Sequence, residues 1–501
     1  MGRLESLPFF VLLLGISAVS MMVPASYALA VGDHATSRAF FYSGIVVSIL
    51  FVMIALATAN MRIRRQGRGH LISIMACYLV LPIVLAVPVS EAVPDTRFFN
   101  AYVEMVSSLT TTGLSMFEPG RLPDAVHLWR AQVAWLGGLF VWITAMAIMA
   151  PLNLGGFELS SHAQIGQGAR ENRHSAKPSA RLKRYAARLL PIYAGLTGVL
   201  WMSLYIAGDR PLVALSHAMS TMSTSGISAV GGLEGSTSGA AGEIVIFLFF
   251  IFAISRLTFI QEDRTDGLKS LVGDPELRLG VLISVSLAVF LFLRHWMASF
   301  EEGTEVAFLD GLRGLWGALF TISSFLTTTG FVSGEWSNAQ AWSGVGTPGV
   351  LLLGLAVFGG GVATTAGGVK LLRVFALYQH GLREMEKLVQ PSSIAGAGRY
   401  GRRFRRQGAY AAWVFFMLFA ISIAVVMIGF SLVGGLDFEE GMILTISALS
   451  TTGPLTELAG EAPLKLAQLG DASRALLCAA MVLGRLEALA VVALLNPEFW
   501  R

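Results

Sequence analysis

Charge is scarce in this chain. Only 14 % of its 501 residues are Asp, Glu, Lys or Arg, against about 25 % in an average soluble domain. The length would suit about three soluble domains. However, the mean hydropathy is +0.65, and apolar stretches near the roughly 20-residue spanning length recur from end to end. Soluble enzymes, secreted disulfide scaffolds and disordered chains are therefore excluded. Cysteine is almost absent. Cys77 and Cys478 both sit in apolar runs and read as small core residues, so no disulfide or metal framework follows. The eight histidines are scattered, and His217 and His295 lack metal-ligand spacing. The run Gly359–Gly361 lies inside an apolar span, so it is not a phosphate-binding loop following a strand. No catalytic set emerges, and neither an organic cofactor nor nucleotide hydrolysis is expected of this chain. A net charge of +4 is too small to imply a nucleic-acid partner. The implied surroundings are a lipid bilayer.

Ten spans are predicted, at approximately 7–31, 38–60, 70–88, 129–150, 186–206, 240–260, 279–296, 347–375, 408–430 and 471–495. The first has Arg3, an apolar run and Ala28-Leu29-Ala30, the layout of a cleavable signal. Its run of about 25 residues exceeds a signal core of 7–15 and is long enough to cross, so a retained helix is predicted. Four segments between spans, at about 97–118, 212–231, 312–334 and 439–457, are too short or polar to cross and read as re-entrant.

With the N-terminus inside and the spans alternating, 25 of the 36 Lys and Arg fall on the cytoplasmic side, as the positive-inside rule asks. They include Arg62, Arg64, Arg65 and Arg68, the cluster from Arg170 to Arg188, and the run from Arg399 to Arg406. Both termini are then cytoplasmic. The polar cytoplasmic segments 151–185 and 376–407 either dock a soluble partner or stay mobile. Acids lean outward, 20 of 32 by this topology. An acidic mouth would concentrate cations, although acids contribute little to orientation and tolerate either side.

A fourfold internal repeat is the most informative feature. Aligned on Gly113, Gly226, Gly330 and Gly453, the re-entrant segments share the pattern S-x-[LM]-[ST]-T-[ST]-G. The serines are Ser107, Ser220, Ser324 and Ser447. The residues just before each glycine are Thr111-Thr112, Thr224-Ser225, Thr328-Thr329 and Thr451-Thr452. One copy carries no information; four copies, each between two spans, do. Non-helical backbone at membrane depth is tolerated only where it is buried in protein or lines a wet path. Four such segments about one axis would present rings of carbonyl oxygens able to replace the hydration shell of a K⁺-sized ion. Glycine permits the backbone angles that turn carbonyls inward. The flanking hydroxyls either bind backbone locally or offer further oxygens. No acidic ring occupies these positions, which favours selection by carbonyl dipoles.

Residues 359–368 interrupt the second span of the third unit with five glycines, Gly359, Gly360, Gly361, Gly367 and Gly368, and the small residues Thr364 and Thr365. Such a stretch disfavours helix. Close helix packing through small residues is one reading. A loop blocking the pore beneath the re-entrant segments is the one preferred here. Arg485 lies mid-span in the last unit, where an arginine costs about 2.5–3.5 kcal/mol and must face protein or a wet cavity. It reads as a positive charge under the filter contacting loop carbonyls, or else as a structural ion pair. Glu487, two residues away, is on the wrong helix face to be its partner. Arg256 reads as snorkelling. Lys370 reads as the basic end of the loop-bearing helix or as a topology anchor.

With one glycine per filter segment in a fourfold span–pore–span plan, the chain resembles the Trk/Ktr/HKT superfamily of potassium transporters. Its two extra N-terminal spans make it similar to the TrkH-type members. Trp135-Leu136-Gly137-Gly138, Gly367-Gly368-Val369-Lys370, Gly484-Arg485-Leu486-Glu487 and Pro497-Glu498-Phe499-Trp500-Arg501 are family-like. The departures are Thr364-Thr365-Ala366 in a loop usually richer in Gly and Ser, Pro454 after Gly453, and Ser225 before Gly226. This asymmetry bears on K⁺ over Na⁺ selectivity.

The resemblance implies an all-α polytopic membrane protein with four span–pore-helix–span repeats in pseudo-fourfold arrangement plus two N-terminal helices. The units would run 1–66 (the N-terminal pair), 67–152, 153–262, 263–376 with the gate loop, and 377–501. It implies K⁺ bound at the twelve filter residues above and transported, passively or by symport, with Gly359–Gly368 and Arg485 as an intramembrane gate. It also implies a homodimer, a cytosolic nucleotide-binding regulatory ring of TrkA type, and the bacterial inner membrane. Na⁺-dependent Ktr-type uptake is the nearer alternative, against which the extra spans weigh. A secondary transporter of an organic or anionic substrate would show an inverted repeat and charged broken helices at the midplane. A non-transporting scaffold would have no need of four intact filter segments.

Overall fold

The structure is a computed structural model. It describes residues 9–58, 66–149, 178–255, 273–302, 308–343, 348–390 and 406–487. Among them there is no β-strand. The N-terminal pair comprises α1 (Phe9–Ser20) and α2 (Met22–Val31), which follow one another across Met21, and α3 (His34–Thr58). Unit one is α4 (Gln66–Ala92), α5 (Phe98–Leu109) and α6 (Asp124–Thr144). Unit two is α7 (Pro178–Ile206), α8 (Pro211–Ser223), α9 (Gly239–Phe249) and α10 (Ile251–Ile254). Unit three is α11 (Pro275–Glu302), α12 (Phe308–Leu326), α13 (Trp336–Ser343), α14 (Pro348–Phe358) and α15 (Leu371–Val389). Unit four is α16 (Arg406–Gly434), α17 (Phe438–Leu449), α18 (Leu455–Leu458) and α19 (Asp471–Leu486).

Six helices are long and apolar enough to cross a membrane: α1–α2 taken together, α3, α4, α7, α11 and α16. Apart from the N-terminal pair, these are the first helix of each unit, and they carry the lipid-facing surface. Only 22 % of the apolar window of α16 is buried inside the protein. In α4 the share is 50 %, because α1 and α3 pack over it. The second long helix of each unit is shorter, kinked or more polar. These inner helices pack on the short re-entrant helices rather than on lipid, so hydrophobicity is not their constraint.

The units close into a ring. Inner helix α6 packs on pore helix α8 of the next unit, α9 on α12, α14 on α17, and α19 back on α5. Each contact joins the inner helix of one unit to the pore helix of the next.

Several predicted spans change shape. The span expected at 129–150 starts at Asp124 and ends in a π-helical turn, Ala145–Met149. The span expected at 240–260 is kinked at Phe250 and ends at Ile254. There the carbonyl of Ala253 accepts from the N–H of Gly361 (2.9 Å), so a second unit's inner helix ends where the glycine loop meets it. The span expected at 347–375 is interrupted after Phe358, where the glycine run was expected to break it, and resumes as α15, which continues to Val389. Arg256, the basic residues of 170–177 and 399–405, and the C-terminal Pro497–Arg501 lie outside the described residues.

Candidate ion pathway

Each pore helix ends the same way. Thr111, Thr224, Thr328 and Thr451 have φ of 55°, 53°, 55° and 55°. A β-branched residue in the left-handed region is uncommon and costs about 1–3 kcal/mol. The reason is the helix stop. The N–H of the following residue reaches back to the serine carbonyl at the start of the pattern: Thr112 to Ser107 (2.9 Å), Ser225 to Ser220 (3.0 Å), Thr329 to Ser324 (2.9 Å) and Thr452 to Ser447 (2.9 Å). This is a left-handed helix cap of the Schellman kind, in which glycine is the usual occupant.

The flanking hydroxyls face one another behind the chain. Thr110 pairs with Thr112 (2.8 Å), Ser223 with Ser225 (3.1 Å), Thr327 with Thr329 (3.0 Å) and Ser450 with Thr452 (3.1 Å). Those side chains are therefore spent on buttressing, and Ser225 does the work of its threonine counterparts. The serine at the head of the pattern adds a second brace in three units. Ser107 donates to the Leu114 carbonyl (2.8 Å), Ser220 pairs with Ser225 (3.1 Å) and Ser447 donates to the Thr452 carbonyl (3.1 Å). The hydroxyls of the left-handed threonines point elsewhere: those of Thr111 and Thr451 are buried and have no partner among the described residues.

The glycines face one another around the ring. A Cβ on Gly113 would lie 1.7 Å from the Ser225 carbonyl oxygen, and one on Gly226 2.5 Å from that of Thr329. On Gly330 it would meet the Pro454 ring at 2.8 Å, and on Gly453 the Thr112 carbonyl oxygen at 2.5 Å. No side chain fits at any of the four. Symmetry holds at the threonines and breaks at the glycines. Gly113, Gly226 and Gly330 have φ of 77°, 65° and 81°, whereas Gly453 is absent from the left-handed set. Pro454 restricts the residue before it. Gly453 instead donates its N–H to the Thr112 carbonyl (2.6 Å), and its own carbonyl accepts from the Thr456 hydroxyl (2.9 Å).

The glycine loop lies directly under these segments. Its two ends are tied, Val369 and Lys370 donating to the Val357 and Phe358 carbonyls (both 2.9 Å). Gly367 donates its N–H to the Thr328 hydroxyl (2.8 Å), and the Thr365 hydroxyl donates to the Met222 carbonyl (3.3 Å). A Cβ on Gly367 would lie 2.0 Å from the Ser450 carbonyl oxygen. From outside the loop, Val362 N–H reaches Glu276 (2.8 Å), and Arg485 Nη1 donates to the Thr365 carbonyl (2.6 Å). Thr364 stiffens the loop by donating to the Gly361 carbonyl (2.7 Å). Gly359, Gly360, Gly361, Gly367 and Thr365 are all buried, and Gly368 is partly so. The loop thus touches segments from units two, three and four.

Two basic residues behave differently from a surface anchor. Lys370 is buried and donates to the Ala366 carbonyl, closing the loop on itself. Glu487 pairs with Arg373 (2.7 Å), and that guanidinium also lies 3.4 Å over the Phe415 ring. Sequence reasoning passed over Arg373, Glu276, Glu104 and Glu243. Their only signal was a charge placed within or beside an apolar span.

The profile of the TrkH family, described as a cation transport protein, matches residues 37–499. The chain belongs to the TrkH family. It is 28 % identical over 493 residues to the Trk system potassium uptake protein TrkH of Salmonella typhimurium, covering 96 % of each chain. It is 30 % identical over 433 residues to the Trk system potassium uptake protein TrkI of Halomonas elongata, covering 85 % of this chain and 82 % of that one. The crystal structure of the potassium transporter TrkH from Vibrio parahaemolyticus superposes with a TM-score of 0.83 at 25 % identity, covering 99 % of both chains. This TrkH-family chain therefore shares that fold over 99 % of its length.

Proposed function

We propose that this chain carries potassium ions across the bacterial cytoplasmic membrane, both termini on the cytoplasmic side. The observation that carries the reading is the ring of four left-handed threonines, each followed by a paired hydroxyl residue and a glycine that admits no side chain. Thr111, Thr224, Thr328 and Thr451 would form the inner ion site, and the carbonyls above them the dehydrating filter. The loop from Gly359 to Lys370 closes the path below, and Arg485 holds it there while opposing cations with its charge. The names of the near full-length relatives support potassium as the ion. The repeats at 67–152, 153–262, 263–376 and 377–501 each supply one wall. The assembly is a homodimer on a cytosolic nucleotide-binding ring, which binds the nucleotide in place of this chain.

Purified protein in liposomes tests this. Rb⁺ entry down its gradient, increased by the ring, is expected; no entry of Rb⁺ or K⁺ even with the ring present overturns the reading. Gly113→Ser or Gly330→Ser places atoms where neighbouring backbone or proline already sits, and is expected to relax selectivity toward Na⁺.

The broken symmetry at Gly453 favours a second reading, Na⁺-dependent uptake as in Ktr-type subunits. In that case Rb⁺ entry would rise with external Na⁺. The helices α1–α3 weigh against it.

A further inference from the structure

A brace recurs behind the filter that the S-x-[LM]-[ST]-T-[ST]-G pattern does not contain. Nine residues before each filter glycine, on the pore helix, stand Glu104, His217, Thr321 and Leu444. In three units that side chain grips the chain just after the filter. Glu104 Oε2 accepts the N–H of Met116 (2.7 Å), His217 Nε2 contacts the Ser228 hydroxyl (2.8 Å), and Thr321 Oγ1 accepts the N–H of Ser333 (3.3 Å). In the fourth, Leu444 cannot bond, and the chain past Gly453 is held by Thr456 instead.

One of these braces, and a second that crosses between units, end in buried carboxylates. Glu104 is 0 % exposed and its second oxygen meets Arg130 Nε at 2.5 Å. Glu243, on α9, crosses into unit three. Its Oε1 accepts the Gly334 N–H (2.7 Å), and its Oε2 accepts from the Ser333 hydroxyl (2.7 Å) and Trp316 Nε1 (2.8 Å). Units one and three face each other across the ring, so the two carboxylates hold opposite walls. Isolated carboxylates are costly to bury and persist only where donors surround them. Here the donors on each carboxylate include post-filter backbone N–H groups, the atoms whose position sets the width of the filter mouth.

We infer that Glu104 and Glu243 are positioning residues for ion selection, clamping the outer ends of filter segments one and three so that their carbonyls keep the spacing a K⁺-sized ion requires. The inference rests on the filter reading above. It makes no use of either carboxylate as an ion ligand.

Glu→Gln is the informative substitution. Both oxygens of each carboxylate face donors, so an amide of the same shape must set its NH₂ against one of them. The readout is the Rb⁺/Na⁺ flux ratio in liposomes, which does not depend on how many molecules fold. Glu104→Gln and Glu243→Gln are each expected to lower the ratio about tenfold or more, as the loss of a charge-assisted hydrogen bond implies. Adding Arg130→Gln to Glu104→Gln gives the new NH₂ an acceptor and lets the amide oxygen return to Met116, so the ratio is expected to recover. If both single variants keep the wild-type ratio while Gly113→Ser lowers it, the filter stands and the clamp is overturned. If Gly113→Ser also leaves the ratio unchanged, the filter reading itself fails. A lowered ratio in Glu104→Gln that the Arg130→Gln partner does not restore also overturns the clamp, since loss of charge rather than geometry would then be responsible.

Discussion

The N–H of Gly367 lies 2.8 Å from the hydroxyl of Thr328, so the loop beneath the pore is bonded directly to one of the four left-handed threonines. Re-entrant segment and loop are thereby tied into one mechanical unit. Thr328→Val keeps the shape and removes the acceptor. Losing one neutral hydrogen bond costs about 0.5–1.5 kcal/mol, a shift of about two- to tenfold in the closed-to-open ratio. Basal Rb⁺ flux without the ring is expected to rise by that factor, and an unchanged basal flux would show that the loop's closure does not depend on this bond.

Arg485 holds the same loop from the other side through the Thr365 carbonyl. Arg485→Met keeps most of the apolar stem but removes both the charge-assisted bond and the positive field. Basal flux is expected to rise about tenfold or more. A closed, unaltered pore would return Arg485 to a purely structural role.

Pro454 packs its ring against both Gly226 and Gly330, one across the ring and one beside it. Pro454→Ala removes part of that ring from the filter mouth. Passage of the larger Cs⁺ relative to Rb⁺ is expected to rise. The variant should also lose about 0.4–1 kcal/mol of stability, since the unfolded chain gains freedom. An unchanged Cs⁺/Rb⁺ ratio places Pro454 outside the ion path.

Asp209, in the connection between α7 and α8, predicts a pH effect. Burial alone would raise its pKa, but the His217 ring 3.9 Å away and hydrogen bonds from Ser236 and the Ser238 backbone outweigh it and hold the carboxyl well below the ordinary 3.8. A depressed folded-state pKa contributes stability that is present above the unfolded value and lost as pH falls through the folded one. Asp209→Asn is therefore expected to lower the melting temperature at pH 7. The gap should begin to close only below about pH 4. Thermal unfolding in detergent at several pH values checks it, and a gap that is constant throughout that range contradicts the assignment.

Much of the backbone geometry was legible in the residues because the repeated motif is a backbone motif. Serine, threonine and glycine at fixed offsets encode a helix stop and a tight turn, and local stereochemistry needs no distant partner. The glycine loop was visible for the same reason. The braces were not, because Glu104 and Met116 are related only once the chain has turned back on itself. Glu243 reaches into another unit altogether. The kink at Phe250 was likewise hidden, since an all-apolar run does not reveal that the loop of unit three will take its last carbonyls.

The asymmetry at Gly453 and Leu444 has an evolutionary consequence. All four walls are written in one polypeptide, so a point mutation alters a single quadrant. In a pore assembled from four identical chains the same mutation would strike every wall at once. A continuous gene therefore allows ion preference to be adjusted in quarter steps, and a proline that would obstruct a fourfold opening if repeated is tolerable when it occurs once.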